Sequence, residues 1–377
     1  MGWNTDAMDK RSFGVEEELL LVDPADGRPA PTGDQVVQRA EDRRSERPSP
    51  SNRPPIEQEF KEEQAEIGSR PTTSAQELVD DLRRLRRELA SAAAGSGVQV
   101  AAVATSPVKV RPTPTPNNRY RAMLAEFGLL ARQQLTCGQH VHVSIESRSE
   151  GVGILDRIAP WLPVMTAIST NSPFWQGQDS FYASYRTVVW SLWPSAGPSA
   201  GFGSVENYEQ SISELIASGA ALDDGMIYFD ARLSARYPTL EIRVADVCTD
   251  VNDAVLIAVL CRALVDTAAG QWRDDEPVPQ WRPELLRAAA WRAARHGLAG
   301  ELLDPATRTP VPALDLLGAR VGWLAPALRR NDDLELTRAG VERLRRNGTG
   351  AQRQREIFAG TGDLHEVVVD AVRRTLL

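Results

Sequence analysis

Glu16 and Glu18 stand two residues apart in the stretch GVEEELLLVD, residues 14–23. In an extended strand, side chains at i and i+2 share a face about 7 Å apart. The two glutamates then project together, while Val15, Glu17, Leu19 and Leu21 take the other face. Two carboxylates on one face repel and raise each other's pKa unless a cation or guanidinium lies between them. Hard divalent cations with oxygen ligands meet that need; a solvent-facing strand end is the plainer reading, and both stay open.

Three other stretches carry groups of the same kind. EQEFKEEQAEIG, residues 57–68, concentrates carboxylates without a matching run of lysines. If helical, Glu59, Glu62, Glu63 and Glu66 stack on one side; if extended, Glu62 and Glu66 share a face with Phe60. TCGQHVHVSI holds two of the four histidines, and alternation sends His140 and His142 one way and Val141 and Val143 the other. Metal ligation, phosphate contact and a satisfied core histidine are all compatible with that pattern. In TLEIRVADV, residues 239–247, Leu240, Ile242 and Val244 form an apolar face opposite Glu241 and Arg243. A carboxylate beside a guanidinium can hold a cation and a phosphate oxygen, or simply pair across strands.

Two further segments suit ligand binding less specifically. Residues 171–194 pack seven aromatics and Arg186 into 24 residues, which fits a pocket wall or a core. RRNGTGAQRQRE, residues 345–356, combines glycines with arginines but contains no GxxxxGK[ST] phosphate loop.

The elements that must position these groups mix strands with helices without regular βαβ alternation, which predicts an α+β fold. Leu78, Leu82, Leu85 and Leu89 recur at helical spacing over 74–94, just after a Ser or Thr cap. Strands are expected at 97–106 and around TCGQHVHVSI, and a helix at 119–134. Long buried helices are predicted from ILDRIAPWLPVMTAIST and VNDAVLIAVLCRALVDTAAG. Residues 41–55, polar and rich in proline, read as a flexible surface loop, and 281–377 as mostly helical. The chain, 1–377, reads as a single catalytic domain.

Composition excludes several classes. A hydrophobic fraction of 42% and a charged fraction of 25% are those of a globular protein. The net charge of −8 argues against a nucleic-acid partner. The most apolar run, AVLIAVLC at 254–261, is too short to span a bilayer, so no membrane partner is expected. Three cysteines without a CxxC pair fit a reducing cytoplasm.

Taken in order, FGVEEELLLVDP, EFKEEQAEIG, NRYRAMLAEFG, TCGQHVHVSI, NSPFWQGQDSFYASYRTVVW, PTLEIRVADV and GAQRQR resemble the carboxylate-amine ligases of the glutamate–cysteine ligase type 2 group. The resemblance implies a mainly antiparallel sheet, curved into a funnel flanked by helices, of the glutamine-synthetase-like class. It implies ATP and two or three Mg²⁺ ions, with Mn²⁺ as a substitute, and small-molecule carboxylate and amine substrates. By motif position, Glu16, Glu18, Glu59, Glu66 and Glu241 become metal ligands. His140 becomes a nucleotide- or metal-side residue, Arg243 a phosphate-binding arginine, Arg186 a substrate or phosphate contact, and Gln354 and Arg355 cofactor contacts. The implied activity joins the γ-carboxylate of glutamate to cysteine by default, in a chain that could form a homodimer. A metal-dependent hydrolase using the HxH strand and a non-catalytic nucleotide binder are the alternatives.

Overall fold

The computed structural model describes residues 10–46 and 56–377. In chain order, β1 is Phe13–Val22, α1 Gly33–Glu46, β2 Ile56–Gln58, β3 Gln64–Gly68, α2 Ala75–Gly95, β4 Gln99–Ala101 and α3 Asn118–Gln133. Then come β5 Gly138–Ser144, α4 Arg148–Ile158, α5 Leu162–Ser169, β6 Phe174–Trp175, β7 Gln178–Asp179, α6 Tyr185–Trp190 and α7 Val205–Ala217. After these follow β8 Ala231–Leu233, β9 Thr239–Asp246, α8 Val251–Arg273 and α9 Pro283–His296. The last part adds a small hairpin, β10 Glu301–Leu303 with β11 Pro310–Pro312, and α10 Ala313–Arg330, α11 Leu334–Asn347, α12 Gly350–Thr361 and α13 Leu364–Thr375.

One antiparallel sheet organises the chain in the order β2-β3-β1-β5-β9-β8, with β4 also paired to β1. This is the expected α+β architecture. β1 is central because its far half is apolar on both faces: Leu19, Leu20, Leu21 and Val22 are all buried. Burial on both sides is what an uninterrupted apolar run in a strand requires.

Behind the sheet, α2 presents Leu78, Leu82, Leu85 and Leu89, all fully buried, and Ser74 caps it by accepting from Glu77 N at 3.3 Å. The long α8 lies in the same layer, started by Asp250, which accepts from Asn252 N at 2.8 Å. Glu17 points into this layer. Its carboxylate takes two hydrogen bonds from Arg86 of α2, at 2.6 and 2.8 Å, and both residues are fully buried. Arg86 also donates to Cys248 O and Thr249 O at 2.7 Å. The pair ties β1, α2 and the start of α8 together.

Several expectations need correction. α1 runs through Glu46, so 41–46 is helix, not loop; residues 47–55 lie outside the described set. The helix persists because Val36 and Ala40 bury against the α2 core and Arg43 bonds Ser91, a tertiary gain that composition does not reveal. The strand expected over 97–106 shrinks to β4. Beyond it, side chains replace the ladder: Asn171 Nδ2 and Thr249 Oγ1 both donate to Ala102 O. The helix expected from ILDRIAPWLPVMTAIST is divided into α4 and α5 by a short 3₁₀ turn at Ala159–Trp161, where Pro160 and Pro163 remove backbone donors. The 57–68 stretch is neither one helix nor one strand but the β2-β3 hairpin, with Glu59–Glu63 in its bend.

Candidate active site

Cross-strand register sets the site. On the face of the sheet opposite α2, Glu16 lies across from His140, Glu18 from Glu66, and His142 from Glu241. Residues directly opposite on antiparallel strands share a face, so the carboxylates and imidazoles of four strands converge.

They converge as two groups. In one, donor atoms of Glu16, His140 and Glu241 lie within 4.8 Å of one another; in the other, those of Glu18, Glu59 and Glu66 do. The five glutamates singled out in the sequence thus come together, but Glu16 and Glu18 go to different groups. Glu59 reaches its group from the hairpin bend, where its Oε2 also accepts from Phe60 N at 3.1 Å.

The oxygen-rich group is electrostatically frustrated. Burial, then the neighbouring Glu59, pushes the Glu18 carboxyl up to about 7, although its Oε2 accepts from Gly138 N at 2.6 Å. Burial and Glu59 push Glu66 well above the ordinary carboxylate range. Carboxylates held this close without a cation retain protons. Three carboxylates, two from neighbouring strands and one from a hairpin bend, are a donor set that Mg²⁺ accepts, so the residues fit the expected ion.

The second group is compensated from the protein side. Burial raises Glu16, but the adjacent imidazoles of His140 and His142 more than offset it and hold its carboxyl below the usual range. His142 Nε2 lies 3.3 Å from Glu16, and its Nδ1 is 3.0 Å from Thr239 Oγ1. Burial, then Arg243, lowers His140 to about 4, leaving its imidazole neutral near pH 7 with a lone pair to offer. Glu241 is gripped from both sides, by Arg232 Nε at 2.7 Å and by Arg243 Nη1. Those guanidiniums hold it well below the carboxylate range despite burial. The two carboxylates of this set suit Mg²⁺ or Mn²⁺, and the imidazole nitrogen favours Mn²⁺ over the harder Mg²⁺.

Arg186 lies at the edge of the Glu18 group. Its Nη2 donates to Arg243 O at 3.2 Å, and Asp246 Oδ1 is 4.0 Å from its Nη1. A Cβ on Gly138 would overlap Arg186 Nη2, so this position must be glycine for the guanidinium to lie against the sheet. Gln354 and Arg355 do not join the two groups. Gln354 Nε2 donates to Asn171 O and Oδ1 at 2.9 and 2.8 Å, behind Asp246, which itself accepts from Asn171 N. Arg355 forks onto Asp179 at 2.9 and 2.7 Å and donates to Tyr182 O, bracing the aromatic segment.

Three residues of this site escaped the sequence reading: His142 as a partner of Glu16, Arg232 as a second partner of Glu241, and Tyr228, whose ring lies 6.0 Å from the Arg243 guanidinium. Alternation alone sets His142 beside His140, as read above, but its pairing with Glu16 depends on the β1-β5 register. Arg232 sits on a three-residue strand whose register no local pattern specifies.

Comparison with known proteins is decisive. The chain matches Glutamate-cysteine ligase family 2 (GCS2) over residues 12–371. It belongs to that family. Among family relatives, the protein named "Putative glutamate--cysteine ligase 2" in Streptomyces coelicolor is 49% identical over 367 residues, covering 97% of this chain and 99% of its own. A relative of the same name, numbered 2-2, in Frankia alni is 51% identical over 372 residues, covering 97% of each chain. The fold is shared with the glutamate–cysteine ligase of Francisella tularensis solved with AMP, at a TM-score of 0.67 and 13% identity over 98% of this chain and 89% of that one. It is also shared with a bifunctional glutathione synthetase from Pasteurella multocida, at a TM-score of 0.67 and 16% identity over 97% of this chain and 52% of that one. Among the described residues of this GCS2 member, no helix is long and apolar enough to cross a membrane.

Proposed function

We propose that this GCS2 protein is an ATP-dependent carboxylate–amine ligase that uses ATP to activate the γ-carboxylate of glutamate as an acyl phosphate and then joins it to an amine, cysteine by default. The observation that carries this reading is the pair of carboxylate groups, Glu18–Glu59–Glu66 and Glu16–His140–Glu241, flanked by Arg186 and Arg243 on one sheet face. A nucleotide polyphosphate needs cations at its oxygens and guanidiniums at the group in transfer. Bound Mg²⁺ would supply charge neutralisation along the phosphates.

The protein's own groups do the rest. Glu18, Glu59 and Glu66 would hold one ion, and Glu16, His140 and Glu241 another. Arg243 is the natural partner for the transferred phosphoryl oxygens, because a bound cation would compete with it for Glu241. Arg186 is buried and, among the described residues, has no carboxylate closer than 4.0 Å, so it can receive charge developing on the acyl phosphate. No covalent nucleophile on the protein is required. We read the chain as one catalytic unit because strands from Phe13 to Asp246 share one sheet and α13 packs Val368 and Ala371 into the β1-β4 core. Its three cysteines are buried and unpaired, as in a reducing cytoplasm.

The activity test is ADP release with Mg²⁺, ATP and L-glutamate against a panel of amines that includes cysteine, with products read by mass. Dependence on both carboxylate and amine is expected. Turnover without ATP would point to a hydrolase, and nucleotide binding without turnover to a binder.

The raised carboxyls give a second expectation. Glu18 and Glu66 bind protons more tightly folded than unfolded, so the stability they contribute falls as pH rises above the ordinary carboxylate range, for Glu18 through about 7. A divalent cation removes that penalty. Mg²⁺ or Mn²⁺ should therefore raise the melting temperature more at about pH 8 than at about pH 5.5, where protons occupy the site. An equal shift at both values would contradict the cation assignment.

A further inference from the structure

A carboxylate–amine ligase must also produce a nucleophile. An aliphatic amine is an ammonium ion at neutral pH and has no lone pair until a proton leaves, so the site needs a base within reach of the incoming nitrogen. The acids on the site face are nearly all committed. Glu16, Glu18, Glu59, Glu66 and Glu241 belong to the two cation groups. Asp246 accepts from Asn171 N, Ser172 Oγ and Ser184 Oγ, at 2.8, 2.7 and 2.8 Å. Asp223 is forked by Arg119 at 2.7 and 2.9 Å.

Asp230 is different. It stands immediately before β8 and faces Arg243 across the ladder, with Asp230 O accepting from Arg243 N at 2.9 Å. Two residues on, Arg232 reaches Glu241, while Ala231 and Leu233 between and beyond are core residues. Alternation therefore directs Asp230 to the site face. Among the described residues, no hydrogen bond or ion pair reaches its carboxylate oxygens, although Tyr228, Phe229 and Ala231 around it are buried. Arg186, which bonds the backbone of the residue opposite at Arg243 O, is the charged group it feels. Asp230 is itself half-buried, and its partial desolvation pushes the carboxyl up to about 7, with Arg186 pulling partly the other way. An unengaged carboxylate with that proton affinity is matched to taking a proton near neutral pH.

We propose that Asp230 is the general base that deprotonates the amine substrate, an inference that rests on the ligase reading above. In the step, the ammonium gives its proton to Asp230. The freed nitrogen lone pair forms the C–N bond to the acyl carbon, the C–O bond to phosphate breaks with the electron pair leaving on the phosphate, and the nitrogen's second proton goes to that departing phosphate. Asp230 passes its proton to solvent. Arg186, on the same side, stabilises the departing phosphate. No oxidant or reductant enters.

Hydroxylamine separates this role from all others, because it is largely unprotonated at neutral pH and attacks acyl phosphates without a base. Wild-type protein with Mg²⁺, ATP and L-glutamate should form the hydroxamate, and should form amide with the best amine of the panel. Asp230→Asn is expected to lower amide formation about 10²-fold or more while hydroxamate formation falls by less than about threefold. Asp230→Glu should restore part of the amide rate. Equal losses on both acceptors, or an unchanged amide rate, would overturn the assignment. If wild type forms neither product, the ligase reading fails and the assignment with it. Should Asp230→Asn melt early, Asp230→Ser carries the same comparison, since its readout is the ratio of two rates in one sample.

Discussion

Glu241→Gln and Glu16→Gln are each expected to lower Mg²⁺-dependent turnover by at least about 10²-fold while the protein remains folded. Both side chains donate oxygen to the group that includes His140. A glutamine keeps size and shape but removes the negative charge that attracts a cation. Glu241 has a second duty, because Arg232 and Arg243 both converge on it. In Glu241→Gln the two guanidiniums lose their shared anion, and Arg243 loses the contact that aims it across the sheet face. Glu16 has a milder structural role, facing two imidazoles, so Glu16→Gln isolates the cation effect better. The check is steady-state ADP release against Mg²⁺ concentration, alongside circular dichroism. Wild-type rates in both variants would remove these residues from the reaction.

The largest stability effect belongs to the ion pair of Glu17, the residue next to Glu16 on β1. Arg86→Met is expected to destabilise the fold by about 3–5 kcal/mol, because it leaves the fully buried Glu17 carboxylate without its partner. It also leaves Cys248 O and Thr249 O without the donors they now have. A double variant, Glu17→Leu with Arg86→Met, should recover much of that loss, since replacing both members of a buried ion pair by apolar groups is often near neutral. Urea unfolding of the two variants provides the comparison. Similar midpoints for Arg86→Met and wild type would show that the pair contributes little. Neighbouring glutamates in one strand would thus fail in opposite ways, one set by losing turnover and one by losing the fold.

That contrast was legible in the alternation of β1, which alone places Glu17 opposite Glu16 and Glu18 and the leucines in the core. The α2 leucines and the pairing of Glu241 with Arg243 on one face were legible for the same reason, since all depend on local periodicity. The division of the carboxylates into two groups was not. It depends on which strands lie side by side and in what register, and Glu18 joins Glu66 only because β1 pairs with β3 as it does. The contributions of Arg232 and Asp230 come from a strand of three residues and its approach, too short for any periodic signal. Lys61 shows the limit from the other side. Inside an acidic stretch it would be taken for a solvated counter-charge, yet it is fully buried and donates to Ala131 O at 2.6 Å. Gln354 and Arg355, singled out by motif, are tied to Asn171 and Asp179, contacts that sequence spacing of nearly 180 residues cannot reveal.

Transfer of heavy oxygen tests the central claim most directly. L-Glutamate labelled with heavy oxygen in its γ-carboxylate is turned over with ATP, Mg²⁺ and the best amine of the panel, and the released phosphate is weighed. An acyl phosphate requires that one labelled oxygen pass from the carboxylate to phosphate in each turnover. Phosphate carrying that single label is the predicted result; unlabelled phosphate accompanying amide formation would contradict the account.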